Sequence, residues 1–127
     1  MHYLAPTDSV HTTAALCDYL DGRLTSDDTV TVVAVADDPD PDARRDCQDA
    51  LNVAPVRLAG VDTLETAVLE GDPADAVLDA AAEREADELV ICVRSGHPDA
   101  TAEVGSTASA ILARTPIPVV VAPLPDL

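Results

Sequence analysis

Residues 69–93, LEGDPADAVLDAAAEREADELVICV, carry a strand end, a turn, a helix and a second strand in succession. Gly71 can take the positive φ that a sharp reversal needs. Asp72 can cap the following helix, and Pro73 suits its first position, where no N–H is required. Asp75 adds a negative charge to the first turn, favourable against the helix dipole. Val77, Leu78, Ala81 and Ala82 then form one apolar face. The run DELVICV follows as a strand. Two strands joined through a helix in this way make a parallel βαβ unit.

Outward from that unit the same alternation recurs. HYLAP (2–6) is a short apolar strand, and Val10, Ala14, Cys17, Leu20 and Leu24 follow at a helical period. Asp8 or Ser9 can cap that helix, and Gly22 lies near its end. TVTVVAVA (29–36) is an unbroken β-branched run, as expected for a strand buried on both faces. A Pro/Asp-rich turn leads into a helix from Asp42 to about Asn52, limited by Pro55. TLETAVLEG (63–71) is a weaker third strand. STASAILAR (106–114) is the last helix, stopped by Pro116, and IPVVVAP (117–123) is the last strand. Pro118 is tolerable at a strand start or edge. The order β-α-β-α-β-α-β-α-β predicts one domain over residues 1–127, an α/β, three-layer, doubly wound, Rossmann-like sheet of five parallel strands and four helices. Ligands of such sheets bind beyond the carboxyl ends of the strands, where the strand order reverses. The loops after strands one and four are then the walls of one crevice.

Composition narrows the partners. Acidic residues number 24 against 7 basic ones, all arginine, for a formal net charge of −17. Such a surface repels nucleic acid and anionic membranes, so neither is expected as a partner. Asp-rich, Lys-free surfaces also suit concentrated salt, where the Debye length shrinks to about 3 Å and self-repulsion is screened. Cys17, Cys47 and Cys92 are widely spaced, an odd count without a C-x-x-C pair. They read as reduced thiols of a soluble, cytoplasmic protein and as small core residues, with a redox role open for Cys92. No apolar run approaches membrane-spanning length.

The loop after strand four, CVRSGHPDATAEVGST (92–107), runs from a strand into a helix whose first turn carries Gly105, Ser106 and Thr107. Their N–H groups and hydroxyls can hold a phosphate. The simpler alternative is that they only cap the helix, which a Ser or Thr does for about 1 kcal/mol. Arg94 is the one fixed positive charge of the loop, while Asp99 and Glu103 oppose a phosphate there. A Walker A loop is excluded because its lysine is missing. His97, Asp99 and Ser106 lack the G-x-S-x-G elbow of a hydrolase, so no catalytic residue is assigned. No metal site is assigned, and His2 and His11 have no expected ligand role.

Three stretches together resemble the universal stress proteins: YLAPTDSVHTTAALCDYL (3–20), residues 69–93, and VGSTASAILARTPIPVVVAP (104–123). The resemblance covers essentially the whole chain and looks most like a haloarchaeal member with a shortened second helix. It implies strand order 3-2-1-4-5 and a stress-response protein that is not an enzyme. Nucleotide-binding members carry G-x2-G-x9-G-[ST]. Here the last pair matches Gly105-Ser106, but the first two glycines fall on Cys92 and Ser95, and Gly96 is displaced by one. The resemblance therefore implies a degraded phosphate loop with weak or absent ATP binding. The alternative it carries is a switch that binds ATP, AMP or another adenine nucleotide through Thr7, Asp8, the backbone near Val35, Cys92, Arg94, Ser95, Gly105, Ser106 and Thr107. Asp8 would take a ribose or adenine hydrogen bond. A weak nucleotide hydrolase is a third reading, without a convincing base or metal ligand. Family members commonly pair through their last strand. Pro118, Val119, Val120, Val121 and Ala122 are accordingly the expected homodimer interface, an apolar edge that would otherwise invite aggregation. Contacts with other proteins remain open.

Overall fold

The computed structural model describes residues 1–36, 40–61, 63–92 and 104–124. Strand β1 (His2–Thr7) leads through α1 (Val10–Asp21) to β2 (Thr29–Ala36). The chain continues through α2 (Pro41–Leu51) and a short α3 (Val53–Arg57) to β3 (Leu64–Glu70). It then passes through α4 (Pro73–Glu83) to β4 (Glu88–Ile91), and through α5 (Ser106–Arg114) to β5 (Val119–Val121). All four strand pairings are parallel, and the sheet order is β3-β2-β1-β4-β5. The expected fold, with its four main helices, is therefore present. The five-residue α3 is an addition: Pro55 stands inside it, because a proline within the first turn of a helix breaks no hydrogen bond.

Alternation along the strands divides the core between two faces. Ala5, Val30, Val32, Ala34 and Val90 pack with Leu16, Cys17 and Leu20 of α1, Leu51 of α2 and Ala54 of α3. Leu4, Val33, Leu89 and Ile91 pack on the other face with Val77, Ala80 and Ala81 of α4 and Ala108 and Ile111 of α5. Successive side chains of a strand point to opposite faces, so a sheet covered on both needs continuous apolar runs. TVTVVAVA supplies one. Thr31 is fully buried within it, and its hydroxyl lies 2.7 Å from His2 Nε2.

The junction between β3 and α4 follows the local reading residue by residue. Gly71 has φ +112, Asp72 is the N-cap and accepts from the Asp75 amide at 3.0 Å, and Pro73 opens the helix. The far end of α4 is less ideal. Glu85 stands at φ 54, where a glycine would spare about 1 kcal/mol, while the Ala86 amide closes back on the Ala81 carbonyl at 2.9 Å.

At the end of the sheet opposite the strand carboxyl ends, the Met1 amine lies 2.9 Å from Asp28 Oδ1. Asp28 also accepts from the Thr25 amide at 2.9 Å. The Thr25 amide, then the ammonium, hold the Asp28 carboxyl below its ordinary range. The hydrogen bond to Asp28 raises the amine above its own. A lowered carboxyl contributes stability above its unfolded value near pH 3.9 and loses it as pH falls through the folded value. A raised amine contributes below about pH 8 and loses it as pH rises through the folded value. Urea midpoints of the protein with this amine free should therefore be highest between these limits. Asp28→Asn should flatten both limbs, and an unchanged pH profile would rule out the contribution.

Candidate functional site

The sheet order reverses between β1 and β4, and a cleft of about 450 Å³ opens at that point, beyond the strand carboxyl ends. That volume is within the range that holds one small molecule. Thr7 and Asp8 from the end of β1 line it, with Val35 near the end of β2, Cys92 just past β4, and Gly105, Ser106 and Thr107 from the start of α5. Seven of the expected site positions thus meet in one cavity. Arg94 and Ser95, with Gly96, His97, Asp99 and Glu103, lie outside the described residues.

The wall at β1 is held by a dense hydroxyl network. Thr7 is buried, and its hydroxyl shares a 2.7 Å hydrogen bond with that of Thr13. Both hydroxyls lie 3.0 Å from the Ser9 carbonyl oxygen. Ser9, rather than Asp8, caps α1: its Oγ accepts from the Thr12 amide at 3.1 Å. Asp8 instead accepts from the Thr12 hydroxyl at 2.7 Å. The carboxylate is thereby oriented at an exposed position on the cleft wall.

The opposite wall begins at α5. Its N-cap is Gly105, at φ −67 and ψ 156, and among the described residues no side chain caps the helix there. Gly105 holds the N-cap position, and Ser106 and Thr107 lie inside the helix, so neither hydroxyl takes the N-cap role. The first N–H groups of a helix lack intrahelical acceptors and carry partial positive charge, which suits an anion. Cys92 is not among the positive-φ residues. A side chain at that position therefore carries no left-handed strain.

Sequence reasoning missed two elements of the cleft. Ala43, Asp46 and Cys47 of α2 and Pro73 and Val77 of α4 also line it. The reading of Cys47 as a small core residue says nothing of which strands α2 crosses. The charged side chains of the described lining are the carboxylates of Asp8 and Asp46. The described arginines are engaged elsewhere: Arg44 with Glu70, Arg45 with Asp42, Arg57 with Asp18, Arg84 with Glu65, Arg114 with Asp75, and Arg23 over the Tyr19 ring. Among the described residues no cluster of three or more His, Cys, Asp or Glu could hold a metal, and no helix is long and apolar enough to cross a membrane.

At the sheet edge, β5 pairs with β4 through Val119, Val120 and Val121. Pro118 is exposed, Val119 and Val120 are partly buried against the two core faces, and Val121 is 46% exposed. Ala122 is turned into the core at 2% exposure.

Residues 2–123 match the sequence model of the universal stress protein family. Several solved structures share the fold. Universal stress protein UspA from Lactobacillus plantarum is 21% identical, with a TM-score of 0.73 over 97% of each chain. The Archaeoglobus fulgidus universal stress protein in complex with dAMP is 17% identical, with a TM-score of 0.72 over 97% of this chain and 98% of that one. An Arabidopsis thaliana family protein with AMP bound is 14% identical, with a TM-score of 0.63 over 96% and 90%. Comparison with curated proteins gives no match.

Proposed function

Because the chain belongs to the universal stress protein family, we propose that it serves stress responses by binding an adenine nucleotide in this cleft without turning it over. One observation carries the reading: α5 begins at Gly105, with no side-chain cap among the described residues, and that end lines a cavity to which Thr7 and the oriented Asp8 also belong. The phosphate belongs at Gly105, Ser106 and Thr107, and the ribose or base beside Asp8 and Val35. Similar structures hold dAMP and AMP. Asp8 and Asp46 penalise added negative charge, about 1 kcal/mol per pair of charges at 4 Å in water and more where water is excluded. AMP should therefore bind more tightly than ATP.

A second reading has the protein acting through protein contacts alone, with the phosphate loop degraded and nucleotide binding weak or absent. It is favoured by the Cys92 side chain on the cleft wall and by Ser95 in place of glycine. Extraction of nucleotide from protein purified in molar KCl, followed by calorimetric titration with AMP and ATP, separates the two. Bound nucleotide or measurable heat is expected, and neither would leave only the second reading. Asp8→Ala should weaken AMP binding about tenfold, the value of one charge-assisted hydrogen bond. In either reading the active form is a homodimer joined at β5, within an acidic surface suited to high salt.

A further inference from the structure

The three cysteines occupy two different environments. Cys17 is 1% exposed among the side chains of α1, and burial pushes its thiol up to about 11. Cys47 and Cys92 come from separate elements, α2 and the end of β4, yet both are partly exposed and both line the cleft. Both also pack against the same core face. No cysteine is in a disulfide. Cys92 is among the expected nucleotide-lining positions and Cys47 is not, and no hydrogen bond to the phosphate, ribose or base is assigned to either.

We propose that Cys47 and Cys92 form a thiol-modification site inside the cleft, where mixed-disulfide formation with a small cationic or neutral disulfide closes the cavity to other ligands. The exclusion of nucleotide rests on the reading above; the modification itself does not. In each reaction a cysteine thiolate attacks one sulfur of the small disulfide. A protein–ligand S–S bond forms, the original S–S bond breaks, and the departing thiolate takes up the proton that the cysteine released. The protein sulfur is oxidised and half of the reagent is reduced, so no further oxidant is needed, and excess thiol reverses the step.

Volume and charge give the site its selectivity. A cavity of about 450 Å³ accommodates one small molecule, so a group tethered to its wall and a freely bound nucleotide compete for it. Asp46 stands next to Cys47 in sequence and lines the same cleft, Asp8 lines it as well, and the chain carries a net charge of −17. An anionic disulfide is repelled from such a cleft and a cationic one is drawn in. That preference should shrink as salt rises.

The test is intact mass and peptide mapping of the folded protein incubated with cystamine. Two additions are expected, at Cys47 and Cys92, with Cys17 unmodified until the protein is denatured. Cys47→Ser and Cys92→Ser should each lose one addition. Glutathione disulfide, an anion, should react severalfold more slowly than cystamine at low salt. The doubly modified protein should bind AMP at least about tenfold more weakly, with dithiothreitol restoring affinity, and saturating AMP should slow both additions. Equal reactivity of Cys17 in the folded state would overturn the site, as would loss of two hydrogens in place of an addition. Modification that leaves AMP affinity unchanged would overturn the occlusion. Should the reduced protein bind no AMP, the nucleotide reading fails separately, and mutual blocking decides the site. A group on Cys47 is then expected to slow addition at Cys92 relative to the rate in Cys47→Ser, and equal rates would refute a shared cavity.

Discussion

Leu16→Ala is expected to lower the folding free energy by about 2–5 kcal/mol, a large share of the 5–15 kcal/mol typical of a domain. Leu16 has no exposed surface and stands in the cluster that joins α1 to Ala5, Val30 and Val32 of the two central strands. The core contains no Phe or Trp, so few neighbours are large enough to swing into the space left by three lost carbons. The cost should therefore sit towards the upper part of the range, where cavities collapse poorly. Val56→Ala is the control. Val56 is 76% exposed on α3, and its truncation should change stability by no more than about 0.5 kcal/mol. Urea unfolding of both variants in molar KCl checks the contrast, and equal midpoints would contradict this description of the core.

Val121→Asp is expected to convert the proposed homodimer to monomer while leaving the fold intact. β5 is an edge strand with β4 on one side, so its outer backbone groups are available for antiparallel pairing across a two-fold axis. The structure sharpens the choice of probe within residues 118–122. Val120 packs against the α1–α2 face of the core and Ala122 is buried, so charges there would harm the monomer as well. Val121 is 46% exposed and lies on the same sheet face as Val119, and Leu112 of α5 is 44% exposed. A two-fold axis presents each substitution twice. Loss of two valine contacts plus like-charge repulsion gives roughly 3–6 kcal/mol, or about a hundred- to ten-thousandfold in dissociation constant. Sedimentation in molar KCl reads the outcome, with circular dichroism verifying the fold. A wild type that is monomeric throughout, or a variant that remains dimeric with folded secondary structure, would sink pairing through this edge.

Much of the fold was legible because its signals are local. The Gly71-Asp72-Pro73 junction needs one positive φ, one capping carboxylate and one residue without an N–H, and three adjacent residues supply them. The buried run of β2 likewise announces a strand covered on both faces. Ends of elements were less legible: β5 covers Val119–Val121 where 117–123 was expected, because edge-strand length depends on how far its partner extends. The short α3 was hidden by Pro55, which reads as a stop signal yet is compatible with a first helical turn.

For the site, the sequence by itself determined the Gly105-Ser106-Thr107 start of the last helix, the carboxylate after β1, and the strand ends that had to converge. Those follow from chain order and residue chemistry. Only the tertiary structure decided that α2 brings Asp46 and Cys47 to the same cleft as Asp8 and Cys92, and that the Gly105 end of α5 lines it too. The physical reason is distance along the chain. A cap or turn is settled by neighbours a few residues apart, whereas a cavity wall is settled by how whole helices pack across the sheet.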